Sequence, residues 1–364
     1  MPEFIPAREL ARLYYVEAVR PILEADYPDL AHSAGLIGPG SEVLGFDTEM
    51  STDHGWGPGV GIYLTETDHA RLAGELRTTL GYKLPLLFRG WPTHFEEVPD
   101  DPGTEVPALT DTRPLNHHVQ VTTLHRFVRE YAGVDLDREL TVLDWLAIPE
   151  QNLRTLAGGA VYHDGLNVLE PMRRSLAYYP HDVWLYLLSA QWQRIGQDEP
   201  FVGRAGTVCD DLGSAVIAAR LVRDLMRLCL LMERQYAPYP KWFGSAFAQL
   251  KCAATLLPTL QNVLRATDWH EREKHLSVAY ETVAIIHNDL GITAPVLAQV
   301  SRFWSRPFWV IQGERIARVI WEAIQDPEVK RLPFGVGKVD QYVDSTDILS
   351  YAGRCRRLGG LYSE

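Results

Sequence analysis

The chain has 364 residues, long enough for two domains with sizeable cores. Hydrophobic residues make up 46% and charged residues 23%, which excludes wholesale disorder. A net charge of −12 argues against non-specific DNA or RNA binding, while leaving room for one basic nucleotide pocket and suiting a cationic small substrate.

In chain order, Pro6 to Tyr27 places Leu10, Leu13, Tyr14, Val19 and Ile22 or Leu23 at helical spacing, which predicts an amphipathic helix lying on a sheet. A short apolar run, Gly35 to Ile37, then enters the turn Gly-Pro-Gly-Ser, and a second strand follows at Val60 to Leu64. Gly38 and Gly40 lack a β-carbon and can bring backbone N–H groups close to a phosphate; Ser41 can donate one more hydrogen bond. The acids Asp47, Glu49 and Asp53 lie between this turn and the second strand, where a carboxylate can hold a divalent metal over the same phosphates.

Thr67 to Leu80, with Leu72, Leu76 and Leu80 on one face, predicts a second covering helix. Leu84 to Phe88 is a candidate short strand. Trp91 to Pro114 shows no period and reads as a long loop, either a cover for the site or a variable surface insertion. His117 to Thr122 alternates as a third core strand, and Leu124 to Tyr131 follows as a helix. His117 and His118, adjacent on a strand, point to opposite faces and cannot chelate one metal.

From about Thr141 the pattern is helical apart from a candidate hairpin at Gly158 to Asp164. Helices are expected over His181–Ile195, Asp211–Arg234, Phe243–Ala266, His270–Asp289 and Pro295–Gln325. In the second of these, Leu212, Val216, Ala219, Val222, Met226 and Cys229/Leu230 form the expected core stripe. Arg220, Arg223, Asp224 and Arg227 lie elsewhere, and the arginines read as a solvated, ion-paired face. Cys209, Cys229, Cys252 and Cys355 show no Cys-x-x-Cys spacing and read as reduced, mainly core residues. Spacings for zinc, a Gly-x-Ser-x-Gly elbow and a Walker loop do not occur.

Gly40-Ser41, the spacer with Gly45, and Ser51-Thr52-Asp53 resemble the signature of the nucleotidyltransferase superfamily to which DNA polymerase β belongs. There a Gly-Ser pair precedes an Asp-x-Asp pair that binds magnesium. With Asp53 as the first Asp, the second position is Gly55, and the strand expected to bring a third acid offers Gln120. Longer blocks, among them SLAYYPHDVWLYLLSAQWQRI and RLVRDLMRLCLLMERQYAPYPKWFGSAF, look like an uncharacterised bacterial family known as a domain of unknown function and grouped with these nucleotidyltransferases.

The resemblance implies an α+β protein. An N-terminal nucleotidyltransferase-like mixed β-sheet with flanking helices (residues 1–140) is followed by a larger all-helical domain (residues 141–364), with the ligand in a cleft between them. It implies metal-dependent transfer of a nucleoside monophosphate from a nucleoside triphosphate to a hydroxyl of a small molecule. Asp53, with Asp47 or Glu49, would hold Mg2+; Gly40, Ser41, Arg204, Lys241 and Trp242 would bind the nucleotide; Asp210, Asp211 or Glu199 would take the acceptor's proton. Plainer readings stand beside several of these: helix capping for Asp210 and Asp211, and an aromatic packing corner for Lys241 and Trp242. The alternative function is a catalytically impaired protein of this fold that binds a nucleotide or a partner protein, with Gly55 and Gln120 as its basis. No uncharged run reaches the roughly 18 apolar residues of a membrane span. The N-terminal segment, with Glu3, Arg8 and Glu9, lacks a signal peptide's apolar stretch, so the expected location is the cytoplasm.

Overall fold

Short runs of alternating apolar residues in the N-terminal half assemble into one four-stranded mixed sheet. In the computed structural model, which describes residues 2–362, its strands are β1 (Ser33–Leu36), β2 (Gly59–Tyr63), β3 (His118–Thr122) and β4 (Ala160–Asp164), in spatial order β3-β2-β1-β4. β1 pairs antiparallel with both β2 and β4, whereas β2 and β3 are parallel. A parallel pair needs a crossover, which contains helix Glu66–Lys83, capped by the Thr65 hydroxyl. Ala34, Val60, Ile62, Val119 and Val121 point to one core, filled by Leu76 and Leu80 of that helix and by Leu10 and Tyr14 of the first helical segment.

That first segment is not one regular helix. Ala7–Tyr14 passes through a π-helical turn, Tyr15–Val19, into Arg20–Asp26. Leu10 and Tyr14 are four residues apart and Tyr14 and Val19 five apart, yet all three are fully buried. The wider turn rotates the later residues back onto the core face, which a uniform α-helix would not do.

Two compact units divide the chain: Met1–Glu139 with Asn152–Ala177, which contains the sheet, and Leu140–Gln151 with Tyr178–Glu364, which is mainly helical. The fold is α+β. In the helical unit, His181–Asp198 is buried along nearly its whole length. It meets Gly313–Ala323 where Gly196 and Gly313 face each other; a Cβ on Gly196 would lie 2.5 Å from the Glu314 nitrogen. Among the described residues, no helix is long and apolar enough to cross a membrane.

Several local expectations are corrected. The segment Trp91 to Pro114, expected as a structureless loop, contains Trp91–Pro92, paired with Leu87–Phe88, and the hairpin His94–Glu97 with Glu105–Ala108. Phe95 anchors that hairpin, buried and stacked on His118 with ring centroids 3.3 Å apart. The expected helix Pro295–Gln325 is confined to Gly313–Ala323, after a two-stranded hairpin, Ser301–Arg302 with Trp309–Val310. Phe243–Ala266 is two helices, Pro240–Ala248 and Ala253–Arg265. On Asp211–Met232 the buried stripe runs through Ala218, Leu221, Val222, Leu225 and Leu228, while Leu212 is 77% and Val216 61% exposed. Asp224, expected off the core stripe, is only 2% exposed. Of the cysteines, Cys229 and Cys355 are buried and Cys209 is exposed.

Candidate functional site

The Gly-Ser turn leaves β1 through Gly38 and Gly40, at φ +110° and +125°, a region open to glycine. A Cβ at Gly40 would stand 1.9 Å from Glu42 Oε1, so the glycine is what lets the Glu42 side chain fold back over the turn. There the carboxylate lies close enough to its own backbone N–H and to the Ser41 hydroxyl for both to draw its pKa down. Burial pushes its pKa above the ordinary value, and the nearby Asp47 charge adds to the rise; the two hydrogen bonds oppose it. The Ser41 hydroxyl, assigned from sequence to a phosphate, therefore faces one of the chain's own carboxylates.

Beside the turn lies a pocket of about 130 Å³ at the mouth of the sheet. Gly35 of β1, Gly61 of β2 and Gln120 of β3 stand abreast across three strands, so two of the three positions in that row carry no side chain. Gly35, Gly61, Gln120 and Glu42 line the pocket, as does Gly55. Thus the two positions at which the resemblance expects further acids, Gly55 and Gln120, open on one space, and Glu42, directly after the Gly-Ser turn, is the carboxylate that lines it.

The acids assigned to magnesium are arranged otherwise. Asp47 Oδ2 accepts the Ala7 N–H at 2.7 Å and the Trp56 Nε1–H at 3.2 Å, which ties the start of the first helix to a buried indole. Glu49 is exposed in the 3₁₀ turn Glu49–Asp53, which a Thr48/Ser51 capping box opens. Asp53 closes that turn, with His54 Nδ1 3.0 Å away and both side chains more than half exposed. Magnesium takes about six oxygens in near-octahedral geometry, usually from carboxylates and water. Asp47, Glu49 and Asp53 form no group of converging ligand atoms among the described residues, and neither Gly55 nor Gln120 adds a carboxylate. As they stand, these residues do not fit a two-metal centre. The group of three with ligand atoms within 4.8 Å of one another is His125, Asp135 and Asp137, where Arg129 already pairs with Asp135 at 3.0 Å.

The remaining candidates belong to the helical unit. Arg204 is exposed on helix Phe201–Thr207, its guanidinium 5.0 Å from the Phe201 ring. Lys241 lies 5.0 Å over the Trp242 ring, and Trp242 Nε1 donates to the Tyr239 hydroxyl at 2.8 Å. Asp210 caps Asp211–Met232 through the Gly213 N–H at 2.8 Å, and Asp211 stands 3.5 Å from Arg272. Glu199 is buried and accepts the backbone N–H groups of Ile311, Gln312 and Gly313 at 2.6, 3.2 and 3.0 Å. Burial pushes its pKa up to about 7, against the pull of those three donors.

Sequence reasoning passed over two features. One is Glu42, whose signal was its place directly after Ser41. The other is a cavity of about 320 Å³ in the helical unit, lined by Arg194, Arg223, Asp224 and Arg227 with Tyr239 and Phe243. Its signal was Arg194, a charge two residues from the fully buried Trp192 and next to the fully buried Ile195.

A family model described as "Domain of unknown function (DUF4037)" matches residues 145–243, a stretch that contains Arg194, Asp224 and Arg227. No curated protein matches the chain, and no solved structure does.

Proposed function

We propose that this is a nucleotidyltransferase-fold protein that binds a nucleoside triphosphate but is impaired in transfer. One observation carries the reading: Gly55 and Gln120 open, with Glu42 that follows the Gly-Ser turn, on a single pocket in which the positions for further metal-binding acids hold no acid. Phosphoryl transfer draws its rate from positioning and from metal charge around the transferring group, and this arrangement lacks the ligands to hold that charge. At about 130 Å³ the pocket is smaller than the roughly 300–1,000 Å³ of sites that enclose a small molecule. It suits the phosphate end of a nucleotide, whose oxygens would displace the Glu42 carboxylate from the Ser41 hydroxyl and the neighbouring N–H.

The test is calorimetric titration of ATP and GTP, with and without magnesium, into the wild type and Glu42→Gln. Removing the competing charge is expected to tighten triphosphate binding by about tenfold, since a charge-assisted hydrogen bond is then free for the ligand. A radiolabel assay for nucleotidyl transfer should stay at background. If neither nucleotide binds either protein, the nucleotide reading falls.

A second reading, active transfer to a small-molecule hydroxyl, is favoured by the exposure of Glu49 and Asp53, neither of them tied into the core. Magnesium-dependent turnover lost in Asp53→Ala would establish it over the first.

A further inference from the structure

The cavity of the helical unit, lined by Arg194 of helix His181–Asp198 and by Arg223, Asp224 and Arg227 of helix Asp211–Met232, contains two charged groups with incomplete hydrogen bonding. Arg194 Nε is buried without a hydrogen-bond partner among the described residues, and so is Asp224 Oδ2. The two side chains approach each other only loosely, with Arg194 Nε 3.8 Å from Asp224 Oδ1. A buried guanidinium or carboxylate is costly to leave unmet, and native structures leave few such groups without a reason. The Asp224 backbone is held in place: Gln191 Nε2 donates to its carbonyl at 3.1 Å, and Gln341 Nε2 in turn donates to Gln191 Oε1 at 3.0 Å.

The other charges on the wall identify what the cavity lacks. Arg227 is held by the buried Glu150 at 2.8 Å, and Asp340 by Lys338 at 3.3 Å, so these offset each other. Arg223 pairs with Asp344 at 2.8 Å, but the Asp344 side chain is 84% exposed, and such a pair exchanges readily for a better acceptor. What remains is an N–H of Arg194 and the guanidinium of Arg223 for an anion, and one oxygen of Asp224 for a donor. Burial depresses the pKa of Arg194 and Asp224 opposes it, while Arg220, Arg223 and Arg227 add smaller depressions; a multiply charged anion would relieve that crowding. Tyr239 and Phe243 supply flat apolar walls, and about 320 Å³ is ample for a small organic ligand.

We propose that this cavity binds a hydroxyl-bearing phosphate monoester of sugar-phosphate size, with Arg194 and Arg223 on the phosphate and Asp224 accepting a ligand hydroxyl. Guanidinium groups match phosphate oxygens in paired hydrogen bonds, and the unmet carboxylate oxygen selects for a donor on the same ligand. The proposal concerns the helical unit alone and does not depend on nucleotide binding at the sheet.

Calorimetry on the full chain in EDTA, with ribose 5-phosphate, inorganic phosphate and ribose as probes, tests it. Ribose 5-phosphate should bind without metal, inorganic phosphate about tenfold more weakly, and ribose not detectably. Arg194→Gln and Asp224→Asn should each weaken ribose 5-phosphate by about tenfold or more, and Asp224→Asn should leave inorganic phosphate nearly unchanged. Arg223→Gln, on a partly exposed side chain, should weaken both phosphates and keeps the test valid if a buried substitution fails to fold. Absence of binding by both phosphates, or affinities unaltered in Arg194→Gln and Arg223→Gln, would overturn the proposal. Equal affinity for the two phosphates would remove the role of Asp224.

Discussion

The Gly-Ser turn of the sheet unit and the arginine cavity of the helical unit present opposite relations between motif and chemistry. The turn has a recognisable spacing, yet its polar groups are largely committed to the fold: Ser41 to Glu42, Asp47 to Ala7 and Trp56. The cavity has no motif at all, yet it leaves Arg194 and Asp224 short of partners. Spacing reports which chemistry a stretch is built to resemble. Unmet hydrogen bonding reports where this molecule still has something to bind.

The largest effect is expected where a charge is fully committed. Glu150 accepts from Arg227 at 2.8 Å and from the Tyr179 hydroxyl at 3.3 Å, in a buried network that also holds Lys338. Glu150→Ala leaves a largely buried guanidinium without its buried acceptor, and removing one partner of a buried pair costs about 3–5 kcal/mol. Urea denaturation should show that loss. A change under about 1 kcal/mol would mean that Arg227 finds another acceptor, and the division between committed and uncommitted charges would weaken.

Glu199 sharpens the same division through pH. Its pKa is raised from an ordinary 4.5 to about 7, burial outweighing three backbone donors. The folded state therefore holds this proton more tightly than the unfolded chain. The stabilising contribution is present below about pH 4.5 and is lost as pH rises through about 7, amounting to about 3 kcal/mol across the window. Denaturation of the wild type and Glu199→Gln across this range should show the difference between them changing in that direction. Parallel curves would show that the carboxylate is not held in its protonated form.

How much of this could be read from sequence follows from which interactions are local. The helices with a clear apolar period, such as His181–Asp198, and the alternating strand His118–Thr122 were legible because local periodicity suffices to mark them. The hairpin His94–Glu97 with Glu105–Ala108 was not, because a single buried anchor, Phe95, among exposed acids leaves no two-residue period to see. The rotation of Asp211–Met232 escaped for a related reason. Its apolar residues surround more than one face, and only packing against other helices decides that Leu212 is exposed and Asp224 buried. At the site, the glycine turn was visible, but the return of Glu42 onto it depends on a backbone conformation that composition does not reveal. Arg194 and Asp224 come from different helices, so no spacing within the chain announces their meeting.

The smallest effects separate two aspartates that the sequence placed in one role. Asp47 receives the first N–H of helix Ala7–Tyr14 and the indole N–H of the buried Trp56. Its replacement by alanine removes a helix-terminal acceptor and leaves an indole N–H without this bond, which should destabilise the protein by about 1–2 kcal/mol. Among the described residues, the ion pair that Asp53 makes is with His54, and both side chains are more than half exposed. Asp53→Ala should therefore stay within about 0.5 kcal/mol of the wild type. Thermal and urea denaturation of the two variants side by side is the measurement. Should Asp53→Ala prove the more damaging, its carboxylate has a partner beyond His54 that the folded chain depends on. Should Asp47→Ala prove silent, its two hydrogen bonds are not what seats the first helix, and Asp47 would be as available to a ligand as Asp53 is.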